Sequence, residues 1–193
     1  EMGQYWKFDK RAVDINPRVV AYLQGSQPKR KLLEIAVPGR VDPGTWQDYA
    51  WRWALCHLLA NNPNYADRFK PLAIALMKKQ SGATFEVVYG PTAQQLAFEY
   101  DLFLDQLDNG YRADLCAWQW NRKFTPLAGK RRTQVKVSAQ WGWQATGVQL
   151  ETGASYDLAA VGNWKIAKDG VEYDADGDKV GRGQLVAVIF NDF

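Results

Sequence analysis

Histidine is all but missing from this chain: His57 is the only one in 193 residues, and Cys56 and Cys116 are the only cysteines. Zinc sites usually draw on several His and Cys ligands. Neither Cys-x-x-Cys nor His-Glu-x-x-His occurs, so the ligand count argues against a complete zinc site built from these residues. No apolar run approaches the roughly 20 residues that a membrane-spanning helix needs, and no secretory signal is visible. Four serines (Ser26, Ser81, Ser138 and Ser155) lack a Gly-x-Ser-x-Gly frame, so nothing marks a nucleophile elbow. "GDKVGRG" lacks both the strand-loop-helix context and the Lys-Ser/Thr ending of a phosphate loop. Charge of one sign is also lacking. With 24 basic and 21 acidic residues and a net charge of +3, the chain is too balanced to imply a nucleic-acid partner.

What is abundant is apolar and aromatic. Apolar residues make up 47% and aromatic residues 13%, which favours a packed core over disorder. The length suits one large or two small domains. Nine tryptophans fall into two groups, Trp46, Trp51 and Trp53, then Trp118, Trp120, Trp141, Trp143 and Trp164, with Trp6 near the start. Each indole is a large burial payload that needs an N–H partner, and two groups imply two cores.

The periodicity changes near residue 121. Before it, helices dominate. In "INPRVVAYLQG", Asn16 caps, Pro17 occupies the first helical position and Gly25 stops. "PGTWQDYAWRWALCHLLANNP" is the strongest helix. Thr45 caps it, Asp48 closes a box-like arrangement and Pro63 ends it. Its apolar stripe (Trp46, Tyr49, Ala50, Trp53, Ala54, Leu58) is widened by Trp51, Leu55 and Leu59, so most of this helix is expected to be buried. Asn62 is expected to cap the next helix, with Pro71 kinking or splitting it. "TFEVVYG" reads as a short helix or turn. "TAQQLAFEYDLFLDQLDNG" opens on a Thr92–Gln95 capping box and stops at Gly110.

Residues 122–133 read as a basic linker from their Pro, Gly and charge content. The cations Arg122, Lys123, Lys130, Arg131, Arg132 and Lys136 are expected to be solvated. A phosphate-binding role would need them on one ordered face. From 134 to 193 the pattern turns to β, with "QVKVSAQ" alternating and "GQLVAVIFN" reading as a buried strand between Gly and Asp clusters. The fold class is therefore α+β: an N-terminal helical subdomain over 1–121, then a partial antiparallel β-sandwich.

Four features invite a chemical reading. Cys56 beside His57 makes no dyad, because neighbouring helix residues point about 100° apart. A packed His57 is the expectation, and both cysteines are expected to be buried free thiols, with a single disulfide as the alternative if the protein is exported. "DADGD" (Asp174, Asp176, Asp178) resembles the start of a calcium loop. However, Gly177 falls at the fourth position and Leu185 at the twelfth, where an EF-hand wants Gly at the sixth and Glu at the twelfth. A polar hairpin connection is the simpler reading. Trp141 and Trp143, two apart in a strand, would share one face. They form either a sugar-stacking platform or part of a small core.

The first 120 or so residues resemble the helical tail of gluzincin-type (peptidase-MA-like) zinc metallopeptidases. The resemblance rests on "YAWRWALCHLLANNPNYADRF", "FEVVYG" and "LAFEYDLFLDQL", matching a helix of the pattern Y-x-x-x-W-A-L-x-H-x-L and the elements that follow it. Such proteins place His-Glu-x-x-His upstream and take a third ligand from a Glu in E-G-x-x-x-Y. Here Glu1 precedes Tyr5 by four positions and not five, so the ligand role is not carried onto Glu1. Residues 135–193, through "VSAQWGWQATGVQLETGASYDLAAVGNWKI" and the Asp-Gly loop, are similar to the opening of PA-I-type galactophilic lectin sandwiches.

These resemblances imply the C-terminal portion of a metallopeptidase-like protein, bacterial and exported (periplasmic, cell-surface or secreted). It would not be catalytic by itself, with zinc and a peptide substrate belonging to the intact protein. The alternative is a carbohydrate- or protein-binding module, with Trp141 and Trp143 as ligand-binding residues and calcium as a candidate ion. No catalytic or metal residue is assigned within the chain.

Overall fold

The computed structural model describes residues 15–36, 44–108, 110–165 and 168–190. Glu1 lies outside them. The fold mixes helices with small sheets. The chain divides into two compact units between Trp120 and Asn121.

The first unit holds α1 (Pro17–Gly25), α2 (Leu32–Ala36), α3 (Trp46–Asn61), α4 (Ala66–Met77), α5 (Phe85–Tyr89) and α6 (Ala93–Asp105), then a 3₁₀ turn at Ala113–Cys116. Local chemistry sets the starts. Asn16 accepts the Arg18 N–H ahead of Pro17. Thr45 accepts the Asp48 N–H, and its hydroxyl donates to the Asp48 carboxylate at 2.6 Å. Arg30 donates to the other Asp48 oxygen at 2.6 Å, tying the segment between α1 and α2 to the start of α3.

Five local expectations are corrected. Asn62 does not cap α4. It follows the last residue of α3, and its side-chain oxygen accepts the Asn64 N–H, so it turns the chain. α4 runs unbroken through Pro71, whose exposed ring leaves the unpaired carbonyl one turn back within reach of water. Thr92 makes no cap hydrogen bond; its hydroxyl donates backwards to the Tyr89 carbonyl. On α3, Trp46 and Tyr49 are exposed (51% and 63%), whereas Ala50, Trp51, Ala54, Leu55, Leu58 and Leu59 are buried. At 100° per residue, positions 46, 49, 53, 56 and 60 share the other side. Cys56 is on that side and is exposed, not buried, while Cys116 is buried; both are free thiols.

The core of this unit joins α3 and α6 through Trp51, Leu58, Leu96, Tyr100, Phe103 and Leu104. Its aromatic polar atoms are answered: the Trp51 indole donates to the Tyr22 hydroxyl, and the Tyr100 hydroxyl donates to the Trp51 carbonyl. Trp118 and Trp120, grouped by sequence with the later tryptophans, pack on Phe98 of α6. They belong to the first unit.

In the second unit the described residues form two separate two-stranded pairs. β1 (Thr125–Pro126) runs parallel to β2 (Val148–Gln149), and β3 (Trp164–Lys165) runs antiparallel to β4 (Glu172–Tyr173). The segment read as a linker thus supplies β1. Two packed antiparallel sheets are not formed among these residues. "QVKVSAQ" carries no strand pairing. The segment read as a buried strand instead exposes Val186 (62%), Val188 (51%) and Ile189 (75%). Closely spaced Gly and Asp turns keep each ladder at two residues, which leaves no second layer to cover the alternating apolar side chains.

Candidate functional site

The most elaborate polar arrangement lies in the first unit, around a residue the sequence reading passed over. Glu99 on α6 is fully buried. Its Oε1 accepts the Asn64 side-chain amide (2.7 Å), the Trp118 backbone N–H (3.0 Å) and the Trp120 indole N–H (2.5 Å). Its Oε2 accepts the Asn62 amide at 2.6 Å. Burial pushes the carboxyl above its ordinary value, and the donors at Trp118, Trp120, Asn64 and Asn62 pull it back only in part. One carboxylate therefore joins the end of α3, the turn after it, the middle of α6 and the segment leaving the 3₁₀ turn. The sequence did contain a signal for it: a charge at position 99 sits in the apolar stripe of Leu96, Tyr100 and Phe103, where helical spacing turns it inward.

Two aromatics and an arginine adjoin this centre. Tyr65 is buried, and its hydroxyl lies beside Glu99 and Trp120 without a hydrogen bond of regular geometry. Burial first, then the Glu99 charge, raises its pKa, so it stays protonated. Arg68 lies over the Tyr89 ring at 5.0 Å and donates to the carbonyls of Val88 and Asn64. The Cys116 thiol is pushed up to about 12 by burial and then by the Glu99 and Asp114 charges, which removes it as a nucleophile near neutral pH.

His57 is packed, with 5% exposure. Its ring stacks on Phe103 at 5.5 Å and 5° between planes. Its Nε2 lies 2.9 Å from the Tyr111 carbonyl. A carbonyl only accepts, so Nε2 carries the hydrogen. Burial lowers its pKa and keeps it neutral. The contact has a purpose in the backbone: Tyr111 has φ +57°, uncommon for a bulky residue, and His57 holds its carbonyl.

In the second unit the candidate residues separate. Trp141 is 70% exposed, while Trp143 is partly buried. Residues 139–142 form a turn and a bend, not a strand, so the shared strand face expected for this pair is absent. Gln144 closes the loop: its side chain accepts the Ser138 N–H (3.0 Å) and donates to the Ser138 carbonyl (2.8 Å). Trp141 is thereby presented at the tip of a clamped loop.

Asp174, Asp176 and Asp178 do not converge. Asp178 accepts the backbone N–H groups of Val180 and Arg182 and the Arg182 guanidinium, and Asp174 accepts the Asp176 N–H. The turn is tight at Gly177 (φ +70°), where a Cβ would lie 2.6 Å from the Arg182 carbonyl oxygen. The Asp174 and Asp178 carboxylates are engaged with their own loop. Among the described residues no group of three or more His, Cys, Asp or Glu side chains is placed to hold a metal ion. No helix among them is long and apolar enough to cross a membrane.

No protein-family model matches this chain, and neither does any curated protein or solved structure.

Proposed function

We propose that this chain acts as the non-catalytic C-terminal portion of a metallopeptidase-like protein. In this reading the helical unit buttresses a zinc site built from residues outside the chain. One observation carries it: Glu99 and His57, the groups best able to do acid–base chemistry, are buried and bonded to the chain's own backbone and side chains. General acid–base work needs a group within hydrogen-bond reach of a substrate proton, and neither offers that. In the intact protein a metal site of this kind would supply a water activated for attack on a peptide carbonyl.

The test is the coding region upstream of Glu1, followed by a peptidase assay with and without chelator. A His-Glu-x-x-His within that region, and chelator-sensitive hydrolysis by the longer protein, is the expected result. An unrelated upstream sequence, or zinc-dependent hydrolysis by these 193 residues alone, would sink the reading.

A second reading concerns the other unit, whose residues resemble the opening of a lectin-like sandwich. It is carbohydrate binding, and the exposed Trp141 on its clamped loop favours it. A protruding indole suits the apolar face of a sugar ring, and the clamp lowers the entropy lost on binding. Binding of a polysaccharide that Trp141→Ala weakens by about tenfold is the expected outcome. A panel of polysaccharides that all fail to bind would remove it.

A further inference from the structure

The sequence around the Trp141 loop has one more property. Between Asp114 and Glu151 it contains six cations and no acidic residue. All six, Arg122, Lys123, Lys136 and the run Lys130 to Arg132, are exposed. Among the described residues, no side chain of the six forms an ion pair; the ion pairs of this unit are Lys165–Glu172 and Arg182–Asp178. The six are concentrated on the segment that carries the exposed indole.

Pairing of the backbone brings part of this charge to the loop. The Thr125 N–H donates to the Gly147 carbonyl and the Leu127 N–H to the Gln149 carbonyl, each at 2.9 Å. This lays residues 122–127 along the strand that leaves the loop. Gly147 (φ +72°) has no Cβ, and one built there would lie 3.0 Å from the Arg122 Nε and 3.3 Å from the Lys123 carbonyl oxygen. A side chain there would press on Arg122 and on the Lys123 carbonyl, and the positive φ itself favours glycine. On the entering side, Lys136 sits just before Ser138, where Gln144 closes the clamp. Cations therefore flank both legs of a loop whose tip is Trp141.

We propose that Trp141, with Arg122, Lys123 and Lys136 on the legs of its loop, binds an acidic polysaccharide of uronate-type sugars. This rests on the carbohydrate-binding reading and names the class of sugar. The indole stacks on one ring, and the cations meet carboxylates on neighbouring rings. Nucleic acid is the other polyanion to weigh. It fits less well because its charge is denser than this patch, because the acidic Asp174–Asp178 turn belongs to the same unit, and because single-strand binding relies on several stacking aromatics in series. Here one indole stands out, with Trp143 partly buried.

The experiment uses the full chain and reads tryptophan fluorescence and calorimetry with three probes: polygalacturonate, a neutral galactan and single-stranded DNA. Polygalacturonate should bind, with affinity falling as salt rises. Trp141→Ala should weaken it by about tenfold, the order expected for one stacked ring. Arg122→Gln with Lys136→Gln should flatten the salt dependence. Both sites are exposed, and circular dichroism would check that the variants stay folded. Equal binding of galactan and polygalacturonate would overturn the acidic preference while leaving carbohydrate binding intact. DNA binding as tight as polygalacturonate would overturn the proposal in favour of a nucleic-acid surface. If no sugar polymer binds, both the proposal and the reading beneath it fall.

Discussion

The indole N–H of Trp120 donates to the Glu99 carboxylate across 2.5 Å, from a position 21 residues further along the chain. With Trp118 it fastens the final segment of the first unit to the middle of α6. Removing the carboxylate would take the acceptor from four N–H donors, of which those of Asn62 and Trp118 are buried. Each unsatisfied buried donor costs about 1–3 kcal/mol, so Glu99→Leu should destabilise the first unit by several kcal/mol or prevent its folding. Glu99→Gln keeps one acceptor oxygen and should cost less. Urea unfolding of both variants checks this; a Glu99→Leu protein as stable as the parent would remove Glu99 from the centre of the fold.

The same residue gives a pH dependence of defined sign. The unfolded carboxyl releases its proton near 4.5, and the folded one at a higher pH, because burial raises it. Over that interval the folded state binds more protons, so the Glu99 contribution is complete below 4.5 and lost as pH rises through the folded value. His57 acts in the opposite sense. Burial puts its folded value below 6.5, so its contribution is complete above 6.5 and lost as pH falls through the folded value. Glu99→Gln should abolish the first slope and His57→Gln the second, measured as unfolding free energy against pH. A slope that survives its variant assigns it to another group.

Tyr65→Phe should leave the first unit equally stable or raise its stability by about 1 kcal/mol. The hydroxyl is buried beside Glu99 and Trp120 without a hydrogen bond of regular geometry, and a poorly satisfied buried group costs more than it contributes. Thermal unfolding reads the difference. A clear loss of stability would mean that the hydroxyl is satisfied in solution, most simply by the adjacent Glu99.

Cys116 should resist alkylation in the folded protein at pH 8 and react on unfolding. Its thiol is buried and pushed up to about 12, so thiolate is scarce. Mass spectrometry after a timed iodoacetamide pulse decides; rapid native labelling at this site would contradict the packing around the 3₁₀ turn.

Thr45→Ala should cost about 1 kcal/mol, the usual value of a lost N-cap. Part of that loss would come through Asp48, whose carboxylate takes the Thr45 hydroxyl as well as Arg30. Thr45→Ser should restore most of it. A neutral Thr45→Ala would show that Arg30 alone holds the start of α3.

Much of the helical half was legible because its signals are local. Asn16 with Pro17, and Thr45 with Asp48, act within three residues, and the structure uses both pairs as read. The packed state of His57 also followed from its setting in a broad apolar stripe. Position on that stripe was less legible. The residues of the α3 stripe could not all face inward, and only the packing of α1, α2 and α6 decided that Trp46 and Tyr49 face out. The second half was read less well. Alternation and turn residues name strands, but a strand exists only with a neighbour, and pairing here stops at two residues.

The sequence by itself determined where helices begin, that one imidazole and two thiols make a poor ligand set, and that a run of cations precedes Trp141. Tertiary structure alone decided that Glu99 is the centre of the first unit. Its partners Asn62, Asn64, Trp118 and Trp120 lie 37, 35, 19 and 21 residues away, and no local pattern specifies contacts at that range. A capping bond is fixed by the few dihedrals between its ends; a buried carboxylate must wait for the chain to bring it donors.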